Sequence, residues 1–129
     1  MWVADTNILL FEALTPERMS AAATAAMDAA EGDAALYCSD ISLWEIATLI
    51  QKGRLSPGVP TLDFIRAVLD QRAVQVLPIT PAIAALSASL DLHGDPADRL
   101  IAATTVCHRA RLVTADHRLR EAQAVETIW

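Results

Sequence analysis

The chain begins MWVADTNILLFEAL (residues 1–14), and this stretch decides the fold. The short apolar run at residues 1–4 is typical of a buried strand, and an aspartate follows it at once. Residues 7–14 favour a helix. A strand that leads into a helix is the first half of a unit whose helix crosses over to a parallel strand. The opening therefore predicts an α/β protein.

The same alternation continues along the chain. Further apolar runs predict strands at 35–38, 74–77, 111–114 and 125–128. Helices are predicted at 17–31, 42–52, 61–72, 81–94, 96–110 and 117–122, two of them opened by a cap residue and a proline (Thr80–Pro81 and Asp95–Pro96). Near-continuous apolar strands are typical of a sheet covered on both faces. We predict one domain over residues 1–129, a three-layer α/β/α sandwich with a small central parallel sheet.

Composition limits the class of protein. The chain has 129 residues, of which 53% are hydrophobic, enough to bury a core. Two cysteines, Cys38 and Cys107, are too few for a disulfide scaffold and suit a reducing compartment. Residues 1–129 contain no basic leader and no apolar run of membrane-spanning length. We expect a cytoplasmic protein with no membrane partner.

The charge distribution bears on nucleic-acid binding. The net charge of −6 disfavours a protein that binds nucleic acid through an overall positive charge. Residues 1–50 hold one base and eight acids, however, whereas residues 51–129 hold nine bases and eight acids. A basic surface would therefore lie in the second part, where the candidates are Lys52, Arg54, Arg99, Arg118 and Arg120. Arg99 is favoured because it adjoins an acid of interest, although each of these side chains is also typical of solvated surface.

Four acids occupy places where an α/β fold builds its sites. Asp5 directly follows the first strand, and Asp116 lies two residues beyond RLVT (111–114). Glu45 and Asp98 lie near the starts of predicted helices. In this class of fold the functional crevice lies beyond the carboxyl ends of the strands. If the helix starts point the same way, the four carboxylates meet in one cleft.

Each acid also has a purely structural interpretation. Asp5 is suited to cap the first helix. Glu45 completes an S-x-x-E capping box with Ser42. Asp98 is favoured by the dipole at a helix N-terminus, and Asp116 is compatible with an ordinary turn. The residues that flank each acid in the sequence distinguish these structural interpretations from a functional one.

Four strings carry a family resemblance. They are DTNILL (5–10), SLWEIATL (42–49) with KGRL (52–55) after it, HGDPADRLIAAT (93–104) and LVTAD (112–116). Together they resemble the successive motifs of PIN-domain proteins, and more narrowly those of the toxin subunit of VapBC-type toxin–antitoxin pairs. Any one string is weak, but the set occurs in order over nearly the whole chain.

The resemblance implies a metal-dependent ribonuclease. It assigns the catalytic and metal-binding acids to Asp5, Glu45, Asp98 and Asp116, with Asn7 and Thr114 as supporting polar residues. Carboxylate oxygens suit Mg²⁺ or Mn²⁺, and such an ion polarises a phosphoryl group and activates water. No serine, cysteine or histidine stands out as a nucleophile, so attack by water is expected. The sequence leaves open whether one ion or two are held.

The resemblance also implies partners. These are an RNA substrate connected with translation, a cognate antitoxin that lies across the acidic cleft, and a homodimer that assembles with the antitoxin into larger complexes. The alternative is a non-catalytic PIN-fold module that binds RNA or protein, against which the presence of all four acids counts. A haloacid-dehalogenase phosphatase is disfavoured because Asn7 stands where its second aspartate is needed.

Two residue types remain open to a second interpretation. Trp44, beside Glu45, is predicted to pack in the core, with stacking on a nucleic-acid base as the alternative. His93, His108 and His117 invite a metal-ligand interpretation, which we disfavour. Two of the three lie near predicted helix ends, where an imidazolium is stabilised anyway.

Overall fold

A computed structural model describes residues 1–92 and 94–129. His93, the first residue of the third motif, lies outside the described residues. The strands are β1 (Trp2–Ala4), β2 (Leu36–Ser39), β3 (Gln75–Leu77), β4 (Arg111–Val113) and β5 (Thr127–Ile128). The helices are α1 (Thr6–Leu14), α2 (Ala21–Gly32), α3 (Asp40–Gln51), α4 (Thr61–Gln71), α5 (Pro81–Ser89), α6 (Pro96–Cys107) and α7 (His117–Glu121). No helix in the described part of the chain is long and apolar enough to cross a membrane.

The strands form one parallel sheet in the order β3-β2-β1-β4-β5. Neighbouring residues of a strand face opposite sides of a sheet. Ala4 and Val113 pack in a core cluster with α1, α2 and α4, whereas Val3 and Leu112 pack in a second cluster with α6 and α7. The sheet is thus covered on both faces, and the predicted α/β/α sandwich is confirmed.

The strand order places a crevice beside β1. The chain runs outward from β1 to β2 and β3, and then crosses back so that β4 lies on the other side of β1. Connections from β1 and its neighbour β4 therefore diverge, which opens a crevice at the carboxyl ends of the strands. The Asp5 N–H donates to the Val113 carbonyl at 3.0 Å, so the β1–β4 ladder continues to the first residue of that crevice.

The start of α3 corrects a prediction. The helix begins at Asp40 because Ser39 is its N-cap, with the Ser39 Oγ accepting from the Ile41 N–H at 3.2 Å. Ser42 therefore lies inside the helix and is buried. The capping-box interpretation of Glu45 with Ser42 is wrong, and the capping role no longer accounts for Glu45.

The start of α2 also differs from the prediction. The helix begins at Ala21 rather than at residue 17, because the Ser20 Oγ accepts from the Ala23 N–H at 3.0 Å and caps it. The residues before it form a short 3₁₀ helix, Pro16–Arg18. The cap serine sits within an alanine-rich run, where apolar periodicity gives no boundary.

The end of α5 is the largest difference. The helix ends at Ser89, five residues before the predicted end at Gly94. Arg99 Nη1 donates to the carbonyls of Ser87 and Leu90 at 3.2 and 3.0 Å. Those carbonyls would accept hydrogen bonds from backbone N–H groups if the helix continued. The guanidinium therefore takes the place of the N–H donors of the next helical turn. The other boundaries differ by one or two residues, apart from α6, which ends at Cys107 rather than near residue 110.

Candidate active site

Asp5 lies at the centre of the crevice. Its side chain is almost entirely buried, with 3% of the residue exposed. Oδ1 accepts from the Thr6 N–H at 2.8 Å, and Oδ2 accepts from the Thr114 hydroxyl at 2.7 Å. Asp5 does cap α1, as its structural interpretation predicted. Each carboxylate oxygen accepts one of these bonds and keeps capacity for a further partner, so the cap leaves room for a second role.

Thr114 connects two of the acids. Its hydroxyl donates to Asp5, and the same oxygen accepts from the Asp116 N–H at 3.0 Å. Asp116 in turn caps α7, with Oδ1 accepting from the N–H groups of Arg118 and Leu119 at 2.8 and 3.3 Å. Buried Thr114 thus fixes the side chain of one acid and the backbone of the other.

Glu45 is held by a residue that sequence reasoning missed. Thr6 Oγ1 lies 2.5 Å from Glu45 Oε1 and 2.8 Å from Ser42 Oγ. A hydroxyl has a single proton and an ionised carboxylate only accepts, so the Thr6 proton goes to Glu45 and the Ser42 hydroxyl supplies the other bond. The only signal in the sequence was a threonine that directly follows Asp5 and precedes an apolar helix.

Asp98 approaches the crevice from the start of α6. Asp95 is the N-cap of this helix, as predicted, and its Oδ1 accepts from the Asp98 N–H at 2.9 Å. Residue 94 is a glycine, and a Cβ built there would lie 3.1 Å from Asp98 Oδ2. The missing side chain at Gly94 therefore makes room for the Asp98 carboxylate.

Arg99 and Asn7 differ in how they relate to the acids. Arg99 is engaged with the two carbonyls at the end of α5, so it has a structural role, and contact with substrate stays a prediction. Asn7 is exposed at the first turn of α1, and its support of the acids likewise stays a prediction. His108 is the C-cap residue of α6, as a helix-end interpretation requires.

The carboxyl groups of Asp5 and Asp98 respond to burial and to the charges of the acids around them. Burial raises the pKa of Asp5 from 3.8 to about 6, aided by the charges of Glu45 and Asp116 and opposed by the bonds from Thr114 and Thr6. Burial also raises the pKa of Asp98, from 3.8 to about 7, with further contributions from Asp95, Asp5 and Asp116.

The pKa of Glu45 is raised for the same reasons. Burial is the largest cause, the charges of Asp95 and Asp98 add to it, and the bond from Thr6 opposes it. Every charge that shifts these three carboxyls is negative. In the described part of the chain, the crevice therefore concentrates negative charge, which is the environment that favours a bound cation.

The donor set fits a hard divalent cation. All the donors are carboxylate oxygens, the ligand type of Mg²⁺ and Mn²⁺. Within residues 1–92 and 94–129, no three His, Cys, Asp or Glu side chains close on a single point. Mg²⁺ is bound through one or two carboxylates and keeps several waters, so an open arrangement of this kind suits it.

An open cleft adjoins Glu45. It has a volume of about 260 Å³ and lies between α3 and the start of α6. Trp44 lines it and is 60% exposed, so the prediction that Trp44 packs in the core is wrong. The side chain projects from the turn that carries Glu45.

A comparison with protein families decides the classification. The model of the PIN domain matches residues 3–125. The chain belongs to the PIN-domain family. The resemblance in the four sequence strings is thereby confirmed.

Similar proteins include a ribonuclease and two solved structures. This PIN-domain chain is 35% identical to "Ribonuclease VapC22" of Mycobacterium tuberculosis (strain ATCC 25618 / H37Rv), over 97% of this chain and 95% of the relative. Among solved structures it resembles VapBC2 from Rickettsia felis bound to a promoter DNA fragment, with a TM-score of 0.75, 14% identity and coverage of 98% and 96%. It also resembles FitAcB from Neisseria gonorrhoeae, with a TM-score of 0.63, 23% identity and coverage of 100% and 97%. The two structures support the fold.

Proposed function

We propose that this PIN-domain chain is a metal-dependent ribonuclease toxin. It hydrolyses RNA phosphodiester bonds at a Mg²⁺ or Mn²⁺ site held by Asp5, Glu45, Asp98 and Asp116. The observation that carries the proposal is the hydrogen-bonded arrangement at the carboxyl end of β1. Thr114 bonds the side chain of Asp5 and the backbone of Asp116, and Thr6, next to Asp5, bonds Glu45. Asp98 approaches the same crevice, where the charges of Asp5 and Asp116 act on it. The ribonuclease name of the 35% identical relative supports the activity.

The chain's own residues prepare the site for such an ion. Thr114 holds Oδ2 of Asp5, and Thr6 holds Oε1 of Glu45, so neither carboxylate has to be reoriented on binding. A divalent ion bound there would polarise a phosphate oxygen and lower the pKa of a water molecule. The ion's charge would favour the ionised forms of Asp5 and Asp98, whose pKa values are raised in the folded chain.

We also propose a cognate antitoxin as partner, with a homodimer as the unit that assembles with it. The support is the resemblance of the four sequence strings to VapBC-type toxins, together with the likeness to VapBC2, which was solved bound to a fragment of promoter DNA. An acidic crevice attracts an arginine, whose guanidinium matches a carboxylate in a bidentate geometry. An antitoxin segment that inserts such an arginine would exclude both the ion and the substrate.

The test is RNA cleavage by the purified chain without a partner. We expect discrete fragments with Mn²⁺ or Mg²⁺ and none with EDTA. Asp5→Asn and Asp98→Asn should lower cleavage to background, since each removes a ligand charge. Asp70→Asn, the same change at an exposed acid on α4, should cleave like the wild type.

The outcomes separate the candidates. Cleavage that survives EDTA, or that survives both substitutions at the crevice, would contradict the metal site. An absence of cleavage from a chain that still binds RNA would instead favour the non-catalytic module.

A further inference from the structure

The cleft beside Glu45 combines an exposed aromatic ring with cations. It is lined by Trp44, Glu45, Thr48, Leu49, Lys52, Arg54, Asp95, Pro96 and Ala97. The Trp44 side chain is 60% exposed, so its ring is accessible to a planar group from outside the chain. The site proposed above uses Glu45 and leaves the rest of this cleft unexplained.

The helix α3 aligns these side chains in one direction. Trp44, Thr48 and Lys52 follow one another at intervals of four, and Leu49 follows Glu45 at the same interval, so they lie along one face. From Glu45 to Lys52 the helix rises by about 10 Å at 1.5 Å per residue. The face therefore leads from the acidic crevice, where Trp44 lies next to Glu45 on the helix, to the positive charges at its C-terminal end.

The end of α3 fixes the backbone of those charges. Arg54 N–H donates to the Leu49 carbonyl at 3.0 Å, and Gly53 N–H donates to the Ile50 carbonyl at 3.1 Å. This is the double hydrogen bond of a Schellman motif. It requires the left-handed conformation that Gly53 adopts, at a φ of 71°. Lys52 and Arg54 consequently flank a rigid turn.

The two cations differ from Arg72 and Arg111 in having no acidic partner among the described residues. Arg72 and Arg111 form ion pairs with glutamates. Within the described residues neither Lys52 nor Arg54 forms an ion pair with an acid, and both are exposed. Their charges are therefore available to an anion from outside the chain.

We propose that this cleft is a nucleotide subsite for single-stranded RNA, in which one base stacks on Trp44 and the phosphate beyond it contacts Lys52 and Arg54. The inference rests on the proposed function, because it takes the scissile phosphate to lie at the acids. Stacking on an aromatic ring and a positive track for the backbone are the two features by which single strands are bound.

The charge pattern favours RNA over an acidic peptide. Both would be attracted by Lys52 and Arg54, but the other end of the cleft presents Glu45 and Asp95. A phosphate could lie near these acids if they held a divalent ion, since the ion's charge would attract the phosphate oxygens. The carboxylate of an acidic peptide in the cleft would compete for that ion or be repelled by these acids. RNA therefore matches the charges at both ends of the cleft.

The test uses fluorescence anisotropy with a labelled single-stranded oligoribonucleotide. The host is the Asp5→Asn chain, so that the RNA is not cut. Trp44→Ala should weaken binding about 5- to 100-fold, the range for loss of one stacked base. Trp44→Phe keeps an aromatic face and should recover most of the affinity.

Salt dependence separates the stacking contribution from the charges. Lys52→Ala and Arg54→Ala should each lower the slope of log affinity against log salt concentration by about 0.7, the value for one phosphate contact on a single strand. Trp44→Ala should leave that slope unchanged. Leu62→Ala and Arg66→Ala are the matched controls, since both side chains are exposed on α4, and they should change neither affinity nor slope.

A second readout in the cleaving wild-type background keeps the two proposals apart. Trp44→Ala should raise KM for a short RNA with little change in kcat. Metal-dependent cleavage with unchanged affinity and KM in the Trp44, Lys52 and Arg54 variants would overturn the subsite and leave the ribonuclease standing. RNA binding that depends on Trp44, in a chain that never cleaves, would support the subsite and overturn the proposed function.

Discussion

At the scale of the residue, Thr6 is the side chain with the clearest consequence. Thr6→Val removes the hydroxyl that bonds Glu45 and leaves buried Ser42 with one partner fewer. We expect a loss of about 1–3 kcal/mol in the free energy of unfolding and a strong loss of RNA cleavage. Urea unfolding and cleavage rates measure the two effects. Thr6→Ser, which keeps the oxygen, should retain most of both, and a fully active Thr6→Val variant would contradict a positioning role.

The four acids and Thr114 could be proposed from sequence because their motifs occur in order, whereas the role of Thr6 and the exposure of Trp44 could not. Thr6 was missed because a threonine after an aspartate is also typical of an ordinary helix start. Trp44 was assigned to the core because large aromatic residues are mostly buried. Neither hydrogen-bond partners nor exposure can be read from a string of residues, since both depend on which helices pack together.

At the scale of the element, Arg72 ties three helices to one another. From the C-terminal end of α4 it binds both oxygens of Glu12 on α1 at 3.0 and 3.1 Å, and it also reaches Asp28 and Glu31 on α2 at 2.5 and 3.2 Å. The Arg72 and Glu12 side chains are only 15% and 10% exposed. A pair so little screened by water matters more than a surface pair.

Removing this arginine should destabilise the fold without touching the site. We expect Arg72→Ala to cost about 2–4 kcal/mol, because Glu12 stays largely buried without its partner. Glu126→Ala, which breaks the exposed pair with Arg111 at 2.7 Å, should cost less than about 1 kcal/mol. Urea denaturation compares the two. Equal effects would show that burial does not distinguish these pairs.

Element boundaries could be predicted where a cap and a proline stand together, as at Asp95 and Pro96. They could not be predicted where a distant side chain ends the helix. The end of α5 depends on Arg99, ten residues beyond the last helical residue, Ser89. The start of α3 depended on a choice between two serines, and burial of Ser42 against Thr6 decided it.

At the scale of the whole molecule, the acid cluster sets a pH dependence of stability. The folded chain holds protons on Asp5 up to about pH 6 and on Asp98 up to about pH 7, whereas both have an ordinary pKa of 3.8 when unfolded. A folded state that binds more protons loses stability as pH rises. Without divalent metal, the free energy of unfolding should therefore fall between about pH 4 and about pH 7. The raised pKa of Asp5 corresponds to a decrease of roughly 3 kcal/mol in the free energy of unfolding.

A bound divalent ion should reverse that loss, because it stabilises the ionised carboxylates of the folded state alone. Melting temperature measured at neutral pH should rise with millimolar Mn²⁺ or Mg²⁺, as ligand linkage requires. Asp5→Asn should flatten the decline in the free energy of unfolding with pH and abolish the rise in melting temperature with metal, since the amide neither titrates nor carries the ligand charge. Asp70→Asn should keep both behaviours. A metal response that persists in Asp5→Asn would place the ion elsewhere. A wild type whose melting temperature does not respond to metal would contradict a divalent-ion site at these acids.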